Sequence, residues 1–177
     1  MANLRLERAG SPTGWKRMLL RAPIPLFRAG LGFLFGHRFV MLCHTGRKSG
    51  QTRRTILEVV VNDPDAVYVA AGWGAEAQWL KNVKANPDVV FYLGSRRFST
   101  RAVVVGVAEA ARVMDRYAEA HPKALPSLAR VMLDDPGDTP SQSAERIAAS
   151  VPMVRLPKGI GRVETRHRMA KPGLSGG

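Results

Sequence analysis

The sequence has little of several things that usually reveal what a protein does. It has one cysteine, Cys43, which excludes an intrachain disulfide and suggests a reducing compartment. No apolar run reaches the roughly 18 residues that a transmembrane helix needs. The N-terminus also lacks the apolar core and cleavage site of a secretory signal. We therefore expect a cytoplasmic protein.

Metal ligands and catalytic nucleophiles are missing as well. The four histidines lie in separate segments, and none stands at ligand spacing from a cysteine, an acid or another histidine. No G-x-S-x-G elbow is present, and neither is a zinc finger pattern, an aromatic RNA-binding motif or a recognition helix. These absences predict no metal, no Ser/His/acid catalysis and no nucleic-acid partner.

Acidic residues are scarce relative to basic ones. The 177 residues include 27 Lys and Arg against 14 Asp and Glu, so the formal net charge is +13. A charge of that size predicts an anionic partner, such as an anionic lipid or a polyanionic small ligand. Hydrophobic residues make up 45% of the chain, enough for the core of one domain.

The most informative stretch is residues 39–61, whose apolar, β-branched ends predict two buried strands. Between them lies a basic loop (residues 44–55) with two glycines and no acid. Glycines let the backbone turn and expose N–H groups, and closely spaced cations repel unless an anion neutralises them. We predict that this loop binds phosphate or carboxylate; a solvated hairpin tip is the alternative. Its cations are Arg47, Lys48, Arg53 and Arg54.

The remaining pattern predicts an α+β protein that is mainly β, with short antiparallel strands forming a barrel and with peripheral helices. We expect a flexible arm over residues 1–14, a single domain over 15–157 and a basic, disordered tail over 158–177. Residues 141–150 are expected to form a helix with Ser141 as its N-cap.

Two further segments allow two interpretations each. Residues 15–38 are apolar and basic, which fits a helix that lies on an anionic membrane surface. We favour the alternative, in which the apolar residues pack on the barrel and the exposed cations make only weak, salt-reversible contact with the inner face of the membrane. Trp73 stands between Gly72 and Gly74 after a predicted strand, where it could support a planar ring or simply pack in the core.

Two motifs together resemble a known family. TGRKSGQ at residues 45–51, with Arg53 following, and WLKNVKANP at residues 79–87 resemble the deazaflavin-dependent nitroreductases of actinobacteria and relatives. The resemblance extends over about residues 23–156. It implies a split β-barrel of the flavin/deazaflavin-binding type that uses coenzyme F420 and acts as an oxidoreductase.

The resemblance also implies a set of cofactor-binding residues. The phosphate and polyglutamate tail of F420 would be held by the basic loop, and the deazaflavin ring would lie across the following strand and the later strand-to-helix turn. Trp79 and Asn82 match the family's W-x-x-N. The tail residues are Arg47, Lys48, Ser49, Gly50 and Arg53; the ring residues are Thr55, Ile56, Ala70, Ala71, Gly72 and Trp73.

The chain departs from the nitroimidazole-reducing members of that family. Gly72 and Trp73 stand where those members have serine and lysine, and Glu58 stands in place of a tyrosine. The resemblance therefore carries over a cofactor and a reaction class, without naming a substrate.

The functional hypothesis is hydride transfer from reduced F420 to an electron-poor acceptor, namely a quinone, an enone or a nitroaromatic. No catalytic residue is assigned, and Tyr117 and His121 are candidate proton donors. The alternatives are a split-barrel oxidoreductase that binds flavin mononucleotide (FMN) and a non-catalytic binder of an anionic cofactor or lipid. The sequence gives no indication of an oligomeric state.

Overall fold

The computed structural model describes residues 37–122, 125–126, 129–130, 133, 135 and 137–159. The predicted arm, all but two residues of the segment 15–38 and all but two residues of the predicted tail lie outside the described residues.

Seven antiparallel strands form one sheet in the order β5-β4-β1-β2-β3-β7-β6. The strands at the two ends of this order, β5 and β6, are consecutive in the chain with only Ala102 between them, so the sheet curls round into a nearly closed barrel. The expected mainly β barrel is confirmed. The bounds are β1 Phe39–Thr45, β2 Thr52–Asn62, β3 Ala66–Ala70, β4 Asp88–Leu93, β5 Arg96–Arg101, β6 Val103–Val104 and β7 Met153–Pro157.

The helices among the described residues are peripheral, as expected. A 3-10 turn at Gly74–Glu76 leads into α1 (Gln78–Ala85); α2 (Val107–Ala120) and α3 (Pro140–Ser150) follow. The expected cap of α3 is wrong. Thr139 precedes the helix, and its side chain accepts a hydrogen bond from the Gln142 N–H at 3.2 Å. Proline suits the first helical position, because its fixed φ is helical and its missing N–H would have no partner there.

Two apolar clusters lie on opposite sides of β3. The barrel core contains Val67 and Val69 of β3, and α1 covers it with Leu80 and Val83. The helix core contains Ala66 and Tyr68 of the same strand. Residues 66–69 are therefore all buried. A strand with one face in solvent would instead alternate between buried and exposed residues. Residues of α2 and α3 complete the helix core, among them Val113, Met114, Ala144 and Ile147.

The turn between β2 and β3 is held by ion pairs. Arg116 of α2 donates to both carboxylate oxygens of Asp63, at 2.9 and 2.8 Å. Arg155 of β7 lies 2.8 Å from an Asp65 carboxylate oxygen, and the Lys158 ammonium donates to Asn62 Oδ1 at 2.7 Å. Two of these three cations, Arg116 and Arg155, are thus paired with acids.

Candidate functional site

The basic loop is a tight turn that closes on itself. The Gly46 N–H donates to the Gln51 carbonyl at 2.8 Å, and the Gly46 carbonyl accepts from the N–H groups of Ser49 and Gly50 at 3.2 and 2.8 Å. Gly50 has a φ of 66°, a left-handed conformation that glycine adopts without a steric penalty. A Cβ on Gly46 would stand 2.9 Å from Ser49 Oγ, so both glycines are needed for this shape.

Most backbone donors of this turn are already used inside the protein. Besides the three N–H groups above, the Arg47 N–H donates to Asn82 Oδ1 at 3.1 Å and the Gln51 N–H donates to Ser49 Oγ at 3.4 Å. Five of the six N–H groups of residues 46–51 therefore have internal partners. The expectation that the glycines expose backbone donors is wrong, because the N–H groups of both Gly46 and Gly50 are bonded within the turn.

Arg47 fastens the loop to α1. Its guanidinium donates to Asn82 Oδ1 and to Gln78 Oε1, each at 2.9 Å. Asn82 is buried, with 7% exposure, and its Nδ2 stands 3.3 Å from Nδ1 of buried His44. Two predicted cofactor residues, Arg47 and Asn82, are thus bonded to each other and shape the loop.

The other three cations of the loop are exposed, and no carboxylate among the described residues pairs with them. Arg53 donates weakly to Ser49 Oγ at 3.4 Å. Arg54 stands beside Cys43 in the strand register; burial raises the pKa of the Cys43 thiol although Arg54 acts to lower it. Lys48 is exposed at the tip. A cluster of cations without carboxylate partners would stabilise an anion here.

The predicted ring residues divide between the two faces of β2 and β3, because successive strand residues point to opposite sides. Thr55 shares the inner face with Leu57, and Ala71 belongs to the same barrel core. Ile56 lies on the outer face, and Ala70 packs against the helix core. One planar ring cannot lie against the side chains of both faces.

The two predicted tryptophans lie on the inner side. Trp73 and Trp79 are half-buried and pack against the barrel core. Their contact with a cofactor ring stays a prediction, as does that of Gly72, which is also half-buried.

The outer face of β2 connects the loop to the candidate proton donors. Arg54, Ile56 and Glu58 follow one another along this face over about 13 Å, at roughly 3.3 Å per residue. At the far end, burial and the nearby Glu58 carboxylate raise the pKa of Tyr117. The His121 ring lies beside Tyr117, with ring centroids 4.9 Å apart.

The cofactor-binding set implied by the resemblance omits Arg54, predicted only as a cation of the anion-binding loop, and Glu58, noted only as a departure from the family. The sequence does contain this information, because Ile56 is a predicted ring residue and the two-residue period of a strand places Arg54 and Glu58 on the same face as Ile56. Glu58 also pairs with Arg38, at 3.2 Å. The link from His44 to Asn82 had no such signal, since 38 residues separate them.

A cleft of about 520 Å³ opens beside the loop. Residues of β1, β2, β4 and β5 line it, including Cys43, His44, Asp88 and Ser99. In the part of the chain that the structure describes, no cluster of residues could hold a metal ion. Within those same residues, no helix is long and apolar enough to span a membrane.

Comparison with known proteins decides the family. The family model for F420H(2)-dependent quinone reductases matches residues 28–126, more than half of the chain. The chain belongs to this family. The match confirms the predicted family and its enzyme class, the deazaflavin-dependent oxidoreductases.

Individual relatives agree. The chain is 33% identical over 96 residues to Rv3178 of Mycobacterium tuberculosis, whose name places it in the same family; the alignment covers 53% of this chain and 81% of Rv3178. It is 36% identical over 93 residues to the F420H(2)-dependent quinone reductase Rv1261c of that organism, covering 48% of this chain and 61% of Rv1261c.

Among solved structures, the protein Atu2129 from Agrobacterium tumefaciens, of unknown function, overlaps with a TM-score of 0.50 at 18% identity. The overlap covers 78% of this chain and 56% of Atu2129. At that identity the likeness supports the fold alone.

Proposed function

We propose that this protein is an F420-dependent reductase that transfers a hydride from the reduced cofactor to a quinone. The observation that carries the proposal is the cluster of exposed cations Lys48, Arg53 and Arg54, which have no carboxylate partner among the described residues. Of these, Arg54 lies on the outer face of β2, whose other end is near Tyr117. The family match supports the cofactor and the class of acceptor.

The loop would hold the anionic part of the cofactor through side chains. Lys48, Arg53 and Arg54 are exposed and lack carboxylate partners among the described residues. Ser49 Oγ accepts from the Gln51 N–H and from Arg53, which leaves its hydroxyl proton free to donate. Three cations suit a phosphate followed by carboxylates better than the single phosphate of FMN, because each additional charge needs its own partner.

The ring would lie on the outer face of β2, against Ile56 and Ala70. This choice keeps the ring on the side of the strand that carries Arg54 and reaches Tyr117. The barrel core offers no comparable space, because Leu42, Phe91 and Leu80 fill it with fully buried side chains.

The cofactor, when bound, supplies the hydride, and the protein supplies binding, orientation and electrostatics. Tyr117 keeps its phenolic proton at neutral pH, since the pKa of an ordinary tyrosine is about 10; burial and Glu58 raise the pKa further. Its Oη can therefore donate a hydrogen bond to a carbonyl oxygen of the acceptor. His121 lies beside that ring and is exposed to solvent.

Side-by-side titration with F420 and FMN tests the cofactor, followed by turnover of reduced F420 with a soluble quinone. We expect tight binding of F420, weak binding of FMN, and return of the oxidised deazaflavin absorbance only when quinone is present. Binding of FMN alone would replace the proposal with a flavin enzyme. Binding of F420 without oxidation by any quinone, enone or nitroaromatic would leave a non-catalytic binder.

A further inference from the structure

His44 is buried under the basic loop and has no place in the function proposed so far. It is 5% exposed and lies on β1, opposite Arg53 of β2. A buried histidine must satisfy its ring nitrogens or lose free energy. The atom beside Nδ1 is Nδ2 of Asn82, at 3.3 Å.

The hydrogen bonds of Asn82 determine where the proton of His44 sits. Asn82 Oδ1 receives two donors, the N–H and the guanidinium of Arg47, at 3.1 and 2.9 Å. Both Arg47 groups are donors and require an acceptor, so Oδ1 of Asn82 must face Arg47. The other end of the amide, Nδ2, must therefore face His44. Because Nδ2 can only donate, Nδ1 must accept, and the neutral ring carries its proton on Nε2.

We propose that His44 is a positioning residue, whose unprotonated Nδ1 holds the Asn82 amide in the orientation that fixes Arg47 and the basic loop. Protonation of Nδ1 would place an N–H against the N–H groups of Asn82. The amide would then turn away or lose its contact, and Arg47 would lose an acceptor for both its backbone and its side chain. The loop would loosen without any change in its own residues.

The surroundings oppose that protonation at neutral pH. Among the described residues, the charged groups that neighbouring elements bring toward His44 are Arg53 on β2, Arg47 in the loop and Asp88 on β4, which borders the same cleft. Burial lowers the pKa of His44 from 6.5 and Arg53 adds to this, although a hydrogen bond with the Thr45 backbone acts to raise it. The folded protein therefore loses stability as pH falls below about 6.5 toward the lowered pKa, because the unfolded chain binds the proton first.

The tautomer can be tested without any cofactor. Nitrogen NMR of the histidine rings in the full chain should show His44 with Nε2 protonated and Nδ1 unprotonated at pH 7.5. A proton on Nδ1 at that pH would overturn the proposal. This readout does not depend on the proposed function.

The effect on the loop rests on the proposed function and uses F420 affinity as its readout. In His44→Asn, Oδ1 replaces Nδ1 as an acceptor that cannot titrate. We expect its Kd to match the wild type at pH 7.5 and to stay tighter than the wild type once the pH falls below the folded-state pKa of His44, which an NMR titration of the same ring measures. Comparing the two proteins at each pH cancels titration of the cofactor itself. His44→Leu removes the acceptor and should weaken binding about five- to tenfold at pH 7.5, the scale of one unsatisfied buried donor.

His37→Asn is the matched control, since His37 is exposed and lies next to the opposite end of β1. The Kd of this variant for F420 should depend on pH in the same way as that of the wild type. Circular dichroism confirms that each variant is folded. Parallel pH profiles of the wild type and His44→Asn through the pKa of His44 measured by NMR would overturn the role of His44 even if His44→Leu failed to fold. If no protein binds F420, the proposed function fails, and the NMR result alone decides on His44.

Discussion

Replacing Lys48 by alanine separates direct charge from loop shape more cleanly than any other change in the site. Lys48 is exposed at the tip of the loop, and no carboxylate among the described residues neutralises it. Arg47, its neighbour, is bonded to Asn82 and Gln78. Lys48→Ala should therefore remove one cation while leaving the turn and its attachment to α1 intact.

A hydrogen bond to a charged group contributes about 1.5–3 kcal/mol. Since about 1.4 kcal/mol corresponds to a factor of ten, the Kd for F420 should rise between roughly tenfold and 150-fold. An exposed contact is screened by salt, so we place the effect near the lower limit at physiological ionic strength. The melting temperature should hardly change, because Lys48 is exposed and has no ion pair with any residue that the structure describes.

The assay is fluorescence titration of F420 at two salt concentrations. Arg112→Ala is the matched control: it removes the same charge from an exposed position on α2, a helix that does not carry the loop. The control should keep the wild-type Kd and its salt dependence. If Lys48→Ala also keeps both, the loop does not bind the anion and the reasoning from unmatched charge is refuted.

Three other changes test separate parts of the structure. Arg47→Lys keeps the charge but loses the two guanidinium hydrogen bonds to Asn82 and Gln78, so the affinity for F420 should fall. Titration at equal ionic strength measures this, and an unchanged affinity would contradict the role of Arg47 in holding the loop against α1. Tyr117→Phe should lower kcat for quinone reduction and leave the Kd for F420 unchanged, whereas a change in Kd alone would place Tyr117 in cofactor binding. Leu80→Ala opens a cavity in the barrel core and should lower the free energy of unfolding, measured by denaturant titration, by about 2–5 kcal/mol. A smaller loss would mean that α1 is not packed against the barrel core as described.

The sequence predicted the elements well and their contacts poorly. Apolar runs on either side of the basic loop indicated β1 and β2, because burial in a sheet requires such residues. The cap of α3 was misplaced by two residues: Ser141 and Thr139 are both good caps, and Pro140 decides between them, since proline fits the first helical position.

Long-range contacts left no local signal. The bond between Arg47 and Asn82 joins residues 35 apart, and only the packing of α1 against β1 brings them together. The sequence showed a cation and an amide, which in isolation are equally suited to bind a ligand. In the structure they bind each other, so the same residues shape the site from within.

The ion pairs at the turn between β2 and β3 have a consequence for how ligands arrive. Asp63 and Asp65 neutralise Arg116 and Arg155 at that turn, while the cations at the other end of β2 have no acid beside them among the described residues. The 11 residues of β2 separate the two ends by about 33 Å, several times the Debye length of about 8 Å at physiological ionic strength. Lys48, Arg53 and Arg54 therefore place positive charge at the loop end of β2, without carboxylate partners in the part of the chain that the structure describes. A ligand whose negative charge is concentrated at one end would approach the loop with that end first. Ionic strength should therefore affect the rate of ligand association as well as the lifetime of the complex.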